Sequence, residues 1–219
     1  IAPRLKAATI GWQHNCYDGY LHVKPVVFWQ QENLLQQYLP NLDRYIVLSD
    51  YDKRDYMEKL GIDCEVKINP RSFVSEKKCD VKSKRFLMAT RFVYAKGLDL
   101  MMESFEEFCK EDSEWELDII GDGDLFDQIR ADAKKRHLEK RVHFVGYTNE
   151  PEKYYLNSSV FLLPSRWEGW PMVIMEAFEF GLPVIAYHMG AMDLIIDDGK
   201  TGFLPEAFDH HKFAQAMLK

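Results

Sequence analysis

The chain has 219 residues, 47% apolar and 29% charged, a composition that can bury a core and excludes general disorder. It contains no apolar run of about 18 residues, so no transmembrane helix is expected. The net charge of −7 resides in residues 81–219, with 17 basic and 24 acidic side chains against 11 and 11 in residues 1–80, and so acidic a body argues against nucleic acid as the main partner.

Along the chain, short Val/Ile/Leu/Phe runs alternate with amphipathic stretches. Ala7–Gln13, Arg44–Leu48 and Glu65–Ile68 are the first three predicted strands. Asn69–Ser83 is the least regular stretch, opening on Asn69-Pro70-Arg71-Ser72 and continuing in mixed charge. Arg85–Thr90, Glu116–Ile120, Val142–Val145, Val160–Leu163 and Pro183–Tyr187 supply five more strands. Several are continuous apolar runs, as parallel strands covered on both faces require. Leu98, Met101, Met102, Phe105, Phe108 and Cys109 recur at helical spacing and form one apolar stripe. Asp124–Lys140 reads as a second, more polar helix, and Pro171 as the first position of a third. This strand–helix–strand alternation predicts an α/β fold on a doubly wound parallel sheet. The expected organisation is a partial first domain over residues 1–70, a linker over 71–83 and a complete second domain over 84–219.

The chain opens on Ile1-Ala2-Pro3 with no initiator Met and no basic-then-apolar leader, so it reads as a fragment. Cys16, Cys64, Cys79 and Cys109 form no C-x-x-C pair and have no His at ligand spacing. That pattern favours reduced thiols in a cytoplasmic protein and no metal site.

In open α/β sheets ligands bind beyond the carboxyl ends of the strands, so the loops there are the candidates. After the fourth predicted strand, Arg91 and Lys96 stand within one short loop that opens a helix. A helix start attracts anions, and a local basic pair in an acidic region fits a phosphate site. Two solvated surface charges would give the same sequence. Gly121-Asp122-Gly123 is a strand-to-helix turn without the third glycine of a dinucleotide fingerprint. Gly121 fits a turn passing a bound base or ribose and fits a purely structural turn equally well. In the segment Leu163–Phe178, Glu168 precedes the helix and Glu176 lies two turns inside it, a spacing of about 12 Å if fully helical. Two carboxylates so placed could hold the hydroxyl pairs of a sugar and a ribose, with helix N–H groups facing a diphosphate between them. Glutamates eight apart also occur by chance in many helices.

The full string E-G-W-P-M-V-I-M-E-A from Glu168, followed by Gly181-Leu182-Pro183-Val184-Ile185, closely resembles the E-x7-E motif of retaining glycosyltransferases of family 4, which have the GT-B fold. Arg91 through Asp99 resembles that family's phosphate segment, and Ile119–Gly123, Val142–Tyr147 and Asp197–Leu204 match in order and spacing. Tyr45–Ser49 and Lys67–Pro70 resemble the end of its first domain. The family's N-terminal glycine-rich loop has no counterpart in the chain.

The resemblance implies a nucleotide-sugar donor bound by the second Rossmann-like domain without a cofactor or metal ion. Arg91 and Lys96 would bind the diphosphate and Glu176 the ribose. Glu168, with backbone at Gly169, Met172 and Val173, would meet the sugar and phosphates, Tyr147 would border the base, and His14 would face the donor sugar. The function it implies is retaining sugar transfer, hexosyl or acetylhexosaminyl, to a saccharide or lipid-linked acceptor in polysaccharide or glycoconjugate biosynthesis. A UDP-sugar is favoured over a guanosine donor, and the setting is cytoplasmic, with peripheral contact at the membrane face. The alternative is a nucleotide-binding or partner-binding module of the same fold without turnover.

Overall fold

The computed structural model describes residues 6–22 and 31–219. They form two compact units: Ile1–Pro70 with Trp167–Pro171, and Arg71–Arg166 with Met172–Lys219.

In the first unit, β1 (Ile10–Trp12), β2 (Arg44–Val47) and β3 (Glu65–Val66) make a parallel sheet in that order, with Gly11 opposite Tyr45 and Ile46 opposite Glu65. Three short helices accompany it: α1 (Tyr17–Leu21), α2 (Glu32–Tyr38) and α3 (Asp50–Asp55). Ser49 caps α3, its Oγ accepting from the Asp52 N–H at 3.1 Å, which satisfies one of the donors a helix start leaves open. The core gathers Tyr17, Leu21, Val47, Tyr56 and Leu60, with the Tyr17 and Tyr56 rings edge-to-face at 5.1 Å. Asp52 is the buried charge among them. Its carboxylate accepts from the Tyr17 N–H at 2.9 Å and from the Ser49 hydroxyl at 2.6 Å, yet burial raises its pKa in spite of both bonds.

The second unit is a six-stranded, wholly parallel sheet of β4 (Arg85–Ala89), β5 (Glu116–Ile120), β6 (Val142–Gly146), β7 (Val160–Leu163), β8 (Val184–Ala186) and β9 (Gly202–Phe203), in the order β6-β5-β4-β7-β8-β9. Successive side chains alternate between two cores, as the period of a strand dictates. Phe86 and Met88 of β4, Leu117 and Ile119 of β5, and Leu162 of β7 face one. Leu87, Ile120, Phe161 and Leu163 face the other. Helices α4 (Leu98–Glu111), α5 (Phe126–Lys135) and α8 (His210–Met217) cover the first face, through Met101, Phe105, Ile129 and Phe213 among others. Helices α6 (Glu152–Leu156) and α7 (Met172–Glu179) cover the second through Tyr155, Ile174 and Ala177. This is the doubly wound, Rossmann-like α/β sheet that the alternation of elements predicts.

Three sequence expectations change. Glu176 is the fifth residue of α7, a little over one turn inside it rather than two, because the helix begins at Met172 immediately after Pro171. The strand β9 was not expected; Gly202–Phe203 is too short to carry a pattern. The predicted helix Asp124–Lys140 is only Phe126–Lys135. It is closed by His137 in the left-handed region at φ 58°, with the His137 N–H donating to the Lys134 carbonyl at 3.1 Å and the Leu138 N–H to that of Ala133 at 2.9 Å. Those two bonds are a Schellman closure, which usually takes glycine at the left-handed position. A left-handed backbone costs a β-carbon-bearing residue of the order of 1–2 kcal/mol, offset in part by the unfolded-state entropy glycine adds, so His137→Gly is expected to stabilise the second unit by about 0.5–1 kcal/mol. Thermal or denaturant melts of His137→Gly and His137→Val against the native chain check this, with the valine moving the opposite way.

Candidate active site

The site is built at the carboxyl ends of the second unit's strands. After β4 the chain turns at Thr90-Arg91 and plunges Phe92 into the core, where its ring packs on Phe126 at 4.9 Å and faces Phe144 at 6.3 Å. The Phe92 N–H donates to the Asp122 carbonyl and the Thr90 N–H to that of Ile120, each at 2.9 Å. The β4 and β5 loops are thus tied main chain to main chain. Gly121, at φ 125°, is the contact point: a Cβ there would lie 1.8 Å from the Thr90 carbonyl oxygen. Only glycine allows this approach, so the structural need for Gly121 is met whatever else it touches.

Around these loops lies a cavity of about 330 Å³ whose wall includes Arg91, Lys96, Gly121, Tyr147 and Val173. Five of the sequence-predicted site residues therefore meet in one place. Arg91 is exposed, Lys96 half-buried, and the Tyr147 ring stands 77% exposed on the loop after β6. The cavity sits where the strand order reverses between β4 and β7, the position at which open α/β sheets leave a crevice. Met172 and Val173 open α7, whose first turn carries no acidic side chain. Its backbone N–H groups have no acceptor within the helix, a setting that suits an anion.

Arg166, which no local spacing singles out, organises the turn that carries Lys96. Its guanidinium donates to both carboxylate oxygens of Asp99, at 2.8 and 2.6 Å, and to the Tyr94 carbonyl at 2.9 Å. It also lies 4.0 Å from the centre of the Tyr94 ring, and its backbone N–H donates to the Ala95 carbonyl at 2.7 Å. Burial tends to raise the Asp99 carboxyl, but the Arg166 bonds and charge, with backbone donors, outweigh it and hold the group below its ordinary pKa. A planar fork matched to a carboxylate gives geometric definition as well as energy. The single 3-10 turn Tyr94–Lys96 is thereby fastened to the end of β7.

Glu176 lies three residues beyond Val173, on the same side of α7. It lines a second cavity, of about 880 Å³, with Tyr155, Phe180 and Pro151, and Pro151 also borders the first. The Tyr155 hydroxyl donates to Glu176 Oε2 at 2.9 Å. Burial raises the Glu176 carboxyl and the Tyr155 bond opposes it, leaving a net upward shift.

His14, Glu168 and Gly169 belong to the other unit. There the exposed His14 ring stacks on Trp12 at 5.2 Å, and a Cβ on Gly169 would lie 2.5 Å from the His14 carbonyl oxygen. Glu168 contributes to the field at Cys16, whose thiol is pushed up to about 12, chiefly by burial. Among the described residues one group of potential metal ligands converges, Glu107, His210 and His211, with ligand atoms within 4.8 Å of one another. None of the three lines either cavity.

A family model described as glycosyl transferases group 1 matches residues 72–219. An uncharacterised glycosyltransferase of Haemophilus influenzae is 29% identical over 167 residues, 75% of this chain and 47% of that relative. The amylovoran biosynthesis glycosyltransferase AmsD of Erwinia amylovora is 34% identical over 120 residues, 54% of this chain and 34% of AmsD. Among solved structures, an S. aureus TarM mutant in complex with fondaparinux, alpha-GlcNAc-glycerol and UDP is similar with a TM-score of 0.85 at 24% identity, over 97% of this chain and 43% of TarM. At that identity the likeness is one of fold, the GT-B arrangement. The chain spans about half or less of the length of these relatives.

The Arg166 clamp yields a direct test. Arg166→Lys keeps the charge and loses the fork, so the Lys96 and Gly97 amides, bonded to the Val93 and Tyr94 carbonyls, are expected to exchange faster. Loss of one charged hydrogen bond corresponds to roughly tenfold faster exchange. Amide hydrogen exchange followed by mass spectrometry checks it, with the α4 interior as the unaffected reference.

Proposed function

The chain belongs to the glycosyl transferases group 1 family, and from that premise we propose that it serves a retaining glycosyltransferase of family 4. The reaction moves a hexosyl or acetylhexosaminyl group from a nucleotide-diphosphate sugar, a UDP-sugar first, to a saccharide or lipid-linked acceptor. The observation that carries this reading is the cavity at the strand-order reversal, to which Arg91 and Lys96 bring two cations of an otherwise acidic unit.

In this reading Arg91 and Lys96 bind the donor diphosphate, assisted by the N–H groups of Met172 and Val173 at the start of α7. As the anomeric bond breaks, negative charge grows on the departing diphosphate, and fixed positive partners stabilise that change more than they stabilise the intact donor. The acceptor hydroxyl enters on the face the leaving group departs from, which retains the anomeric configuration. Glu176 accepts from the ribose hydroxyls, the turn at Gly121 passes beside the nucleoside, and the exposed ring of Tyr147 borders the base. His14 and Glu168, with Gly169, are assigned to the sugar by the motif resemblance alone. Two cations and helix N–H groups supply the charge that a diphosphate needs, so the reading includes no metal ion. AmsD, named for amylovoran biosynthesis, and the TarM complex with UDP support a setting in polysaccharide or glycoconjugate assembly and a uridine donor. The reading includes a cytoplasmic setting, at the membrane face.

Calorimetry with UDP, a UDP-sugar and uridine tests the assignment. Arg91→Ala and Lys96→Ala should each weaken UDP about tenfold or more while leaving uridine nearly unchanged, as loss of a charge-assisted bond to phosphate requires. Glu176→Gln should weaken UDP and the UDP-sugar alike, by roughly 1.5–3 kcal/mol. Glu168→Gln should weaken only the UDP-sugar. Affinity for UDP should survive EDTA. Equal, small effects of all four substitutions on every ligand would remove the donor site from this cavity, and binding of the sugar nucleotide without its hydrolysis or transfer would favour a non-catalytic module.

A further inference from the structure

Tyr155 is 2% exposed, and its ring stacks with those of Phe161, at 5.8 Å, and Phe180, at 5.1 Å. Two stacked neighbours fix the plane of a tyrosine, and with it the position of the hydroxyl. That hydroxyl is aimed at Glu176 Oε2, 2.9 Å away, across the gap between α6 and α7. Burial and the adjacent carboxylate push the phenol above its ordinary pKa, so at neutral pH it is a donor. A carboxylate on a helix surface otherwise turns about its last torsion with little restraint. Held at Oε2, Glu176 has Oε1 left for other partners in the cavity it lines.

We propose that Tyr155 is a positioning residue: its buried hydroxyl holds one oxygen of Glu176 so that the other is presented, already oriented, to the ribose hydroxyls of a nucleotide donor. The inference rests on the ribose role assigned to Glu176 above. Its physical content is pre-organisation, because a group fixed before the ligand arrives loses less freedom on binding. It has an electrostatic side as well. Removing the phenol leaves burial unopposed at Glu176, so its carboxyl pKa rises further. The charged groups facing this cavity are Glu76 and Lys77 from the segment before β4 and Glu150, Glu152 and Lys153 around the start of α6. Lys77 pairs with Glu152 at 2.8 Å and Lys153 with Glu150 at 3.4 Å, so these two cations are already engaged with other carboxylates.

The test is a double-mutant cycle of Tyr155→Phe and Glu176→Gln, read by UDP affinity across pH and by the side-chain carboxyl titration of ¹³C-labelled glutamate. Phenylalanine keeps the stacked ring and removes only the hydroxyl. Tyr155→Phe should weaken UDP roughly three- to tenfold at neutral pH, with the loss growing as pH falls and Glu176 protonates. The Glu176 titration should move to higher pH, and the effect on affinity should vanish in the Glu176→Gln background. A Glu176 titration unmoved by Tyr155→Phe, or a loss of UDP affinity that persists in full beside Glu176→Gln, would overturn the proposal. If instead the titration moves while neither substitution touches UDP affinity, the positioning stands and the ribose assignment of Glu176 falls. Should Tyr155→Phe fail to fold, the native chain still decides. A Glu176 carboxyl titrating as high as an equally buried one without a hydrogen bond would count against the phenol.

Discussion

Between β4 and β7 the second sheet reverses its order, and the helices that follow those two strands leave toward opposite faces, α4 onto one core and α7 onto the other. Parallel strands must be followed by crossovers, and crossovers of opposite direction cannot cover the edge they diverge from. The crevice at the carboxyl ends is therefore a consequence of topology before any side chain is chosen. What the sequence adds is how the loops around it are held. Phe92 is the anchor: its buried ring fixes a turn that would otherwise be free, and with it the start of the segment bearing Arg91 and Lys96.

Two kinds of fastening keep the crevice open and shaped. One is main chain to main chain, where the N–H groups of Thr90, Phe92 and Gly121 donate to the carbonyls of Ile120, Asp122 and Gly146 at neighbouring strand ends, and Gly121 permits the approach. The other is charge to charge, with Arg166 and Asp99 forming a closed pair beside the pocket. The guanidinium is mostly withdrawn from water and its charge is balanced locally. Lys96 and Arg91 thus border the pocket in a unit whose other charges are predominantly acidic. Low-dielectric walls around the pocket focus the field of these two cations against the acidic background of the unit.

Much of this was legible in the sequence. The two-core alternation of β4 shows as Arg85-Phe86-Leu87-Met88, a continuous apolar run that only a strand covered on both sides can carry. The α4 stripe shows in the sequence as one apolar face, and the string from Glu168 to Ala177 marks the loop and the start of α7. The misses have physical reasons. His137 ends α5 in a left-handed conformation that a glycine would have announced and a histidine does not. The role of Arg166 depends on a pairing with Asp99, 67 residues away, and that of Tyr155 on one with Glu176, 21 residues away; no local spacing encodes either. The grouping of Trp167–Pro171 with residues 1–70 likewise arises from packing and leaves no local signature.

The two carboxylates of the E-x7-E string illustrate how one motif can combine different physics. Glu176 is held within the second unit, half-buried, hydrogen-bonded to a phenol and shifted toward the neutral form. Glu168 stands on the segment that belongs with the first unit, four residues before α7 begins. A continuous helix through both would have put them on one rigid rod, about 12 Å apart. Because the helix starts at Met172, just after Pro171, the seven-residue spacing instead spans a turn and just over one helical turn. The motif is thus better understood as one carboxylate before a helix start and one inside the helix than as a single helical face.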